Sequence, residues 1–171
     1  MSTRVTTPEA IASFPNLFEA SGFPGTEPKY SITLLWEKEE DLSALKAACE
    51  AAAEKKWGDK RPANIQFPMK NGDEKLDKEG NVRSEYAGRK YLVAKSKQSD
   101  PPKVVDLSLQ PILDATEIYG GCKVRAAISF FAWSFGGQHG ISAYLGNIQK
   151  TQDSEPFGGG GNSVENDFGA F

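Results

Sequence analysis

Cationic and aromatic side chains recur on one side of the segment 122–135, which reads CKVRAAISFFAWSF. Alternate residues of a strand point to opposite faces, so the small and apolar residues from Val124 to Ala132 fall together. The other face carries Lys123, Arg125, Phe131, Trp133 and Phe135. Aromatic rings can stack on nucleobases and cations can meet phosphates, so this face could bind a single-stranded nucleic acid. Alternatively, the aromatic residues pack in a second core layer, and we favour this for Phe135. The cations would then only increase solubility.

Two further predicted strands have a similar outward face. In residues 90–97, KYLVAKSK, alternation places Leu92 and Ala94 inward and the aromatic and cationic residues outward. Residues 140–148 follow a Gly-Gly hairpin signal and turn Tyr144 outward. We therefore predict a nucleic-acid-binding surface that consists of Arg89, Tyr91, Lys95, Lys97, Lys123, Arg125, Phe131, Trp133 and Tyr144.

The patterns that catalysis or metal binding requires are mostly missing. The four glycines of 158–161 are not followed by the Gly-Lys-Ser/Thr of a phosphate-binding loop, and no Gly-x-Ser-x-Gly occurs. The single histidine, His139, lies in a predicted turn, and the two cysteines, Cys49 and Cys122, are far apart in sequence. A structural zinc site usually needs about four closely spaced ligands. We therefore expect no metal, no other cofactor and no enzymatic activity, and two free thiols in a reducing compartment.

The elements that must position the predicted surface are mostly strands. Residues 30–36 alternate as a strand does, and the prolines of residues 1–28 indicate an edge strand or a lead-in. One α-helix is predicted at about 41–58, with Asp41 as its N-cap. The charged segment 70–90 is predicted to be a solvated loop. About five strands without a regular β-α-β alternation favour a mainly β fold, a small Greek-key barrel or sandwich.

Length and charge limit the possible partners. The chain has 171 residues, enough for one domain and one hydrophobic core, with 20 basic and 23 acidic residues. Four of the acids lie in residues 153–171, so residues 1–152 have a net charge near +1, and electrostatic binding must come from local clustering. No apolar run approaches the roughly 18 residues of a membrane span, and the N-terminus lacks the apolar part of a signal peptide. We expect a cytoplasmic protein.

The C-terminal segment 153–171 differs in composition from the rest of the chain. It contains four consecutive glycines and no lysine or arginine, so we predict a flexible tail beyond a domain at 1–152. A tail of this kind could compete with nucleic acid for a basic surface or dock on partner proteins, or it could have no role. Its candidate contact residues are Asp153, Glu155, Glu165, Asp167, Phe168 and Phe171.

Several longer segments resemble a single protein family. They are FPNLFEA (14–20), the whole of 27–60, GDEK (72–75), YGGCKVRAAISFFAW (119–133) and QKTQDSEPFGG (149–159). These segments are similar to a phage-encoded family that was first catalogued as a domain of unknown function. Its members are taken as single-stranded-DNA-binding proteins with an OB fold.

The resemblance implies a five-stranded OB-type Greek-key barrel, binding of single-stranded DNA without catalysis, and an acidic C-terminal tail like those of replicative single-stranded-DNA-binding proteins. It also implies a place in phage replication or recombination within the host cytoplasm, with replication proteins as candidate partners of the tail. One rival is a virion or scaffold protein that uses the tail for protein contacts. The other is a nuclease or annealing factor, and the lack of a metal-ligand pattern argues against a nuclease. The sequence leaves the oligomeric state open.

Overall fold

The structure, a computed structural model, describes residues 3–22, 24–74, 76, 79–81 and 85–156. Within them it contains nine strands and one α-helix, together with three 3-10 turns at Gly58–Lys60, Gly72–Glu74 and Ala115–Glu117. In chain order the elements are β1 (Arg4–Thr6), β2 (Ala10–Ser21), β3 (Lys29–Glu37), α1 (Ser43–Trp57), β4 (Ile65–Gln66), β5 (Lys70–Asn71), β6 (Arg89–Lys97), β7 (Val104–Val105), β8 (Lys123–Phe135) and β9 (Gln138–Gln152).

Five of these strands close into a barrel. The pairing runs from β8 to β2, β3, β6 and β9, and β9 returns to β8. Four of these five pairings are antiparallel, and β6 pairs with β9 in parallel. This is the closed five-stranded arrangement of an OB fold. The predicted fold class, a mainly β barrel with one inserted helix, is therefore confirmed.

The barrel interior is filled by the inward face of each long strand. The predicted inward residues of β8, Val124, Ile128 and their alternate neighbours, are almost completely buried. Helix α1 contributes Leu45 and Cys49 to the same core. Complete burial of one such aliphatic side chain is worth about 1.5–3 kcal/mol relative to its exposure to water. The outward positions of the strands are therefore free to carry polar and aromatic groups.

Helix α1 lies within the predicted range, but its first turn differs from the prediction. Leu42 occupies the N-cap position and makes no side-chain cap. The carboxylate of Asp41 accepts a hydrogen bond from the backbone N–H of Ser43 at 3.0 Å, in a local turn that precedes the helix. That bond is the largest cause that lowers the pKa of Asp41. The helix ends at Gly58, as predicted, with φ of 52°.

The proline-rich N-terminal region forms a central strand, so its prediction as an edge or lead-in was wrong. Strand β2 pairs with β3 on one side and with β8 on the other. Its register against β3 shifts between Ser13 and Asn16, and Phe14 there has φ of 46°. Pro15 therefore lies in a bulge, where the ladder does not require its missing N–H.

The chain leaves the barrel in an ordered manner after β9. The single O–H of Tyr119 is shared between the Asp153 carboxylate at 3.0 Å and the Ser154 carbonyl at 2.9 Å. Lys150 pairs with the same carboxylate at 2.6 Å, and the Lys150 contact is the largest cause that lowers the pKa of Asp153. The carbonyl of Glu155 lies so close to Gly121 that a Cβ there would approach it within 2.3 Å. The remaining predicted tail residues, Glu165, Asp167, Phe168 and Phe171, lie outside the described residues.

Candidate nucleic-acid interface

An open groove of about 540 Å³ crosses the outside of the barrel. It lies where the outward residues of β6, β8 and β9 meet the segment 66–70, and we call it the groove. Its lining consists of Lys29, Gln66, Phe67, Pro68, Lys70, Tyr91, Val93, Lys95, Ser96, Lys97, Phe131, Trp133, Ile141, Ser142, Ala143 and Tyr144.

The length of β9 explains why the groove lies there. One edge of β9 pairs with β8 along nearly its whole length. The other edge is shared in turn by β4 at Gly140, by β6 at Tyr144 and by β7 at Ile148, all in parallel. This succession brings the outward residues of β6 beside those of β8 and β9.

Trp133 lies over a glycine of the neighbouring strand. It pairs with Gly140, and a Cβ at that position would approach the Trp133 ring within 2.5 Å. Its indole N–H donates a hydrogen bond to the hydroxyl of Ser142 at 3.0 Å. Because Gly140 has no side chain, the Trp133 ring can pack directly on the glycine, and the hydrogen bond to Ser142 fixes the orientation of the ring.

Tyr144 is fixed through its hydroxyl group. The hydroxyl donates to the carboxylate of Asp100 at 2.9 Å and accepts from the backbone N–H of Lys97 at 3.3 Å. Burial is the first cause that raises the pKa of Tyr144, and the Asp100 carboxylate also raises it. The hydroxyl therefore stays protonated at neutral pH, and the ring is held as part of the groove wall.

Tyr91 is supported from behind by a buried ring. The Tyr86 ring, which is 2% exposed, meets it edge to face at a centroid distance of 5.1 Å. Burial raises the pKa of Tyr91, with further contributions from Tyr86 and the Glu74 carboxylate. Strand β5 places Lys70 directly opposite Tyr91, so one aromatic ring and one cation lie side by side.

The charges of the groove all have one sign. Lys29, Lys70, Lys95 and Lys97 line it, and no acidic residue does so among those the structure describes. Lys29 and Lys97 are directly paired across β3 and β6. Like charges in such a cross-strand pair repel each other. A chain with a net charge of −3 thus concentrates positive charge in one place, where a bound polyanion would relieve the repulsion.

Most of the binding residues predicted from the sequence line the groove. Six of the nine predicted residues line it, namely Tyr91, Lys95, Lys97, Phe131, Trp133 and Tyr144. Phe131 is 47% exposed, which rules out a second core layer at that position. Phe135 is 83% exposed at the β8–β9 hairpin, so its prediction as a core residue was wrong. The two-glycine hairpin is as predicted, and its glycines have φ of 57° and 81°. The prediction of His139 in the turn was wrong, because β9 begins at Gln138 and His139 pairs with Ser134.

The other three predicted residues lie outside the groove. The Arg89 guanidinium donates to the carboxylate of Glu37 at 3.0 Å and to the carbonyl of Glu85 at 3.0 Å. Arg125 donates through Nε to the side-chain oxygen of Gln149 at 3.2 Å. Lys123 begins β8, at the opposite end of the strand from Trp133.

Sequence reasoning missed three groove residues that belong to the same chemical classes. The strand predicted from the sequence began at residue 30 and so left out Lys29, which is the first residue of β3. Phe67 and Lys70 lie in a segment that has no long periodic pattern, because it forms only the two-residue strands β4 and β5. One phenylalanine and one lysine, three residues apart, were the only signal in this segment.

Two features are absent from the described part of the chain. It contains no cluster of three or more histidine, cysteine, aspartate or glutamate residues that could hold a metal ion. No helix within it is long and apolar enough to cross a membrane. Cys49 and Cys122 are free and buried.

Comparisons with known proteins identify relatives of this chain. Residues 3–171 match the family model of the ssDNA-binding protein of Enterobacter phage Enc34. Protein p50 of Acyrthosiphon pisum secondary endosymbiont phage 1 is 30% identical over 156 residues, which cover 87% of this chain and 83% of that protein.

Solved structures give the same result. The single-stranded DNA-binding protein from bacteriophage Enc34, in complex with ssDNA, is 30% identical with a TM-score of 0.74, over 91% of this chain and 90% of that chain. The single-stranded DNA-binding protein gp2.5 of bacteriophage T7 is 12% identical with a TM-score of 0.65, over 94% and 97% of the two chains, and shares the fold. The resemblance seen in the sequence is confirmed, and the chain belongs to the family of the Enterobacter phage Enc34 ssDNA-binding protein.

Proposed function

We propose that this protein binds single-stranded DNA in the groove, largely independently of base sequence. The observation that carries the proposal is the lining itself, which combines four lysines and five aromatic residues with no described acid. Aromatic faces accept any base, and lysines meet phosphates without reading sequence. Membership of a family whose named member binds ssDNA supports the same conclusion.

The energetics of this binding follow from the two kinds of side chain. Each base that stacks on a ring such as Trp133, Phe131 or Tyr91 contributes about 1–3 kcal/mol. Each phosphate that a lysine neutralises releases counterions, which gives a slope of about −0.7 in log K against log salt for a single strand. Four groove lysines therefore correspond to a slope of about −3.

In the infected host cell this protein coats and protects transient single strands during phage replication or recombination. Its action is passive, because binding energy alone opens secondary structure in the strand. This binding requires only the aromatic rings and the lysines of the groove and no catalytic group. The cytoplasm, where phage DNA is copied, is the corresponding location.

The C-terminal tail, 153–171, is the proposed contact for replication proteins. Four carboxylates and two terminal aromatic residues give it the composition of a peptide that docks on basic and apolar surfaces. Residues 153–156 already contact Tyr119, Lys150 and Gly121, so a chain that ends at Pro156 removes the outer tail and keeps these contacts. In pull-downs with the phage replication proteins, full-length protein should retain a partner that the shortened chain loses. Equal retention by both chains would contradict a tail contact.

A second candidate function, a virion or scaffold protein that binds other proteins, is favoured by one loop. Between β7 and the 3-10 turn at 115–117, three leucines are 64%, 69% and 86% exposed, namely Leu107, Leu109 and Leu113. Leu109 has φ of 63°, and the Asp106 carboxylate accepts hydrogen bonds from the N–H groups of Ser108 and Gln110. An exposed apolar loop held in this way suits a protein contact.

Titration with nucleic acid separates the two functions. Tryptophan fluorescence is followed as single-stranded DNA, single-stranded RNA or duplex DNA is added at two salt concentrations. We expect quenching by oligo-dT, weaker binding at the higher salt and little binding of duplex. Absence of salt-sensitive binding to oligo-dT would contradict the proposed function and leave the protein-binding role.

A further inference from the structure

A second cavity, of about 480 Å³, lies beside the β8–β9 hairpin. Residues 63–66 form one wall of it, and residues 137–139 at the hairpin form the other. Its lining includes Asn64, Ile65, Gln66, Gly137, Gln138 and His139. We call it the hairpin cavity. The groove lining described above does not account for it.

The hairpin cavity adjoins the groove on the side of Trp133. Gln66 lines both the groove and the hairpin cavity. Strand β4 pairs in parallel with β9, so Gln66 lies opposite Gly140, the residue on which the Trp133 ring is seated. A strand of DNA that stacks on Trp133 therefore has the hairpin cavity as its next space in this direction.

The chemistry of the hairpin cavity differs from that of the groove. Its lining residues include three with side-chain amides, Asn64, Gln66 and Gln138, and no charged residue of the described chain. Without a cation it offers little to a phosphate. Amides of asparagine and glutamine offer both a donor and an acceptor to the edge of a nucleobase, whereas the groove lysines offer donors alone.

The imidazole of His139 is held in place by two contacts. Its Nδ1 is hydrogen-bonded to the hydroxyl of Ser134 at 2.8 Å. Its ring meets the Trp57 ring edge to face, at a centroid distance of 6.1 Å and an interplanar angle of 87°. Because Ser134 and His139 alternate with Trp133 and Gly140, this imidazole lies on the face of the ribbon opposite the Trp133 ring. The side chains left to meet a base are therefore the amides of Asn64, Gln66 and Gln138.

We infer that the hairpin cavity receives one nucleobase at an end of the bound strand and hydrogen-bonds its edge. The inference rests on the proposed function and deepens it, because it adds one base-dependent position to an otherwise sequence-tolerant site. That position is the terminal nucleotide on the Trp133 side of the groove. It also gives the bound strand a defined direction, since only one end of the strand meets the cavity.

The test uses the shortest dT oligomer that saturates the protein, with dA, dC or dG placed at each position in turn. We expect the parent protein to discriminate between bases at one terminal position, by about tenfold, and to bind all other substitutions alike. The double variant Asn64→Ala/Gln138→Ala should lose this discrimination and keep its salt dependence, because both residues are exposed and neither is charged. The matched control is Gln110→Ala, an exposed amide that lines neither cavity, and it should keep the discrimination.

Two results would overturn the inference while the proposed function stands. One is equal affinity of the parent protein for every substituted oligomer, and the other is discrimination that survives in the double variant. Failure of the parent protein to bind the unsubstituted dT oligomer would instead overturn the proposed function and this inference together.

Discussion

The two ends of the β8–β9 ribbon carry similar side chains but have different surroundings. At the hairpin end, Phe131 and Trp133 line a groove with four lysines. At the far end, Lys123 and Arg125 lie on the same outward face of β8, yet neither lines the groove. Ten residues separate Lys123 from Trp133, or about 33 Å of extended strand. Sequence alternation gave both ends the same prediction.

The difference shows that the outward face of a strand forms a groove only where other segments of the chain lie on both sides of it. At the hairpin end, parallel pairing brings β6 alongside β9, and the segment 66–70 closes the opposite side. At the far end, β7 pairs with β9 and the Arg125 guanidinium is bound to Gln149. We therefore expect the groove end to account for most of the DNA affinity.

The largest effect is expected from Trp133→Ala. Loss of one stacked base costs about 1–3 kcal/mol, so affinity for oligo-dT should fall by roughly 5- to 150-fold. Fluorescence anisotropy of a labelled oligomer measures this change without using tryptophan emission. The control is Phe14→Ala, an exposed aromatic residue of β2 that lines neither the groove nor the hairpin cavity, and it should change the affinity little. Equal losses in the two variants would remove the distinction between the groove and the rest of the barrel surface.

The next effect is expected from Gly140→Ala. The added Cβ would lie 2.5 Å from the Trp133 ring, so the ring must leave its seat. Overpacking of this kind typically costs about 1–3 kcal/mol of stability, and part of the stacking energy should be lost with it. A double-mutant cycle for DNA affinity with Trp133→Ala checks the cause. The glycine substitution should add almost nothing once the ring is absent; full additivity would show that Gly140 acts independently of Trp133.

A smaller effect is expected from single lysines of the groove. Lys95→Ala should weaken binding to all sequences alike and reduce the salt slope by about 0.7, because one phosphate contact is lost. Arg125→Ala, at the far end, should leave the slope unchanged, because its guanidinium is held by Gln149 outside the groove. Titrations at four or more salt concentrations provide both slopes. A reduced slope for Arg125→Ala would extend the DNA path to the far end.

The smallest effect on binding is expected from the barrel interior, which both ends share. Burial raises the pKa of Cys49 to about 12, so its thiol stays protonated and unreactive at neutral pH. Because the pKa is raised on folding, this preference stabilises the protein below about pH 9 and is lost as the pH rises towards 12. Thiol reagents should therefore label the native protein slowly, label the unfolded protein fast and leave DNA binding unchanged until unfolding. Rapid labelling of Cys49 in the native state would contradict its burial.

Local patterns predicted the barrel strands and helix well, because each depends on the periodicity of its own residues. The inward and outward residues of β6 and β8 follow directly from alternation. The patterns failed where long-range pairing decides the outcome. The four prolines of residues 1–28 indicated an edge or a lead-in, but the bulge at Phe14 and Pro15 allows a central strand. The exposed position of Phe135 depends on how far the hairpin extends beyond the barrel, which no local pattern reports.

The candidate site shows the same limit. Six residues of the groove were identified because they lie on strands with clear alternation. Lys29, Phe67 and Lys70 were missed because they come to the groove through β3 and the irregular segment 66–70. Arg89 and Arg125 were included because of their charge, although their hydrogen-bond partners become visible only in the folded protein.

The most direct test of the account is a map of protein–DNA contacts. A dT oligomer that carries photoreactive 5-bromodeoxyuridine is cross-linked to the protein, and the modified residues are identified by mass spectrometry. We predict adducts on the aromatic residues of the groove, chiefly Trp133, Phe131, Tyr91 and Phe67, and none on peptides that contain only Lys123 and Arg125. Adducts concentrated at the far end of β8, or on the leucine loop at 107–113, would contradict the claim that single-stranded DNA binds in the groove.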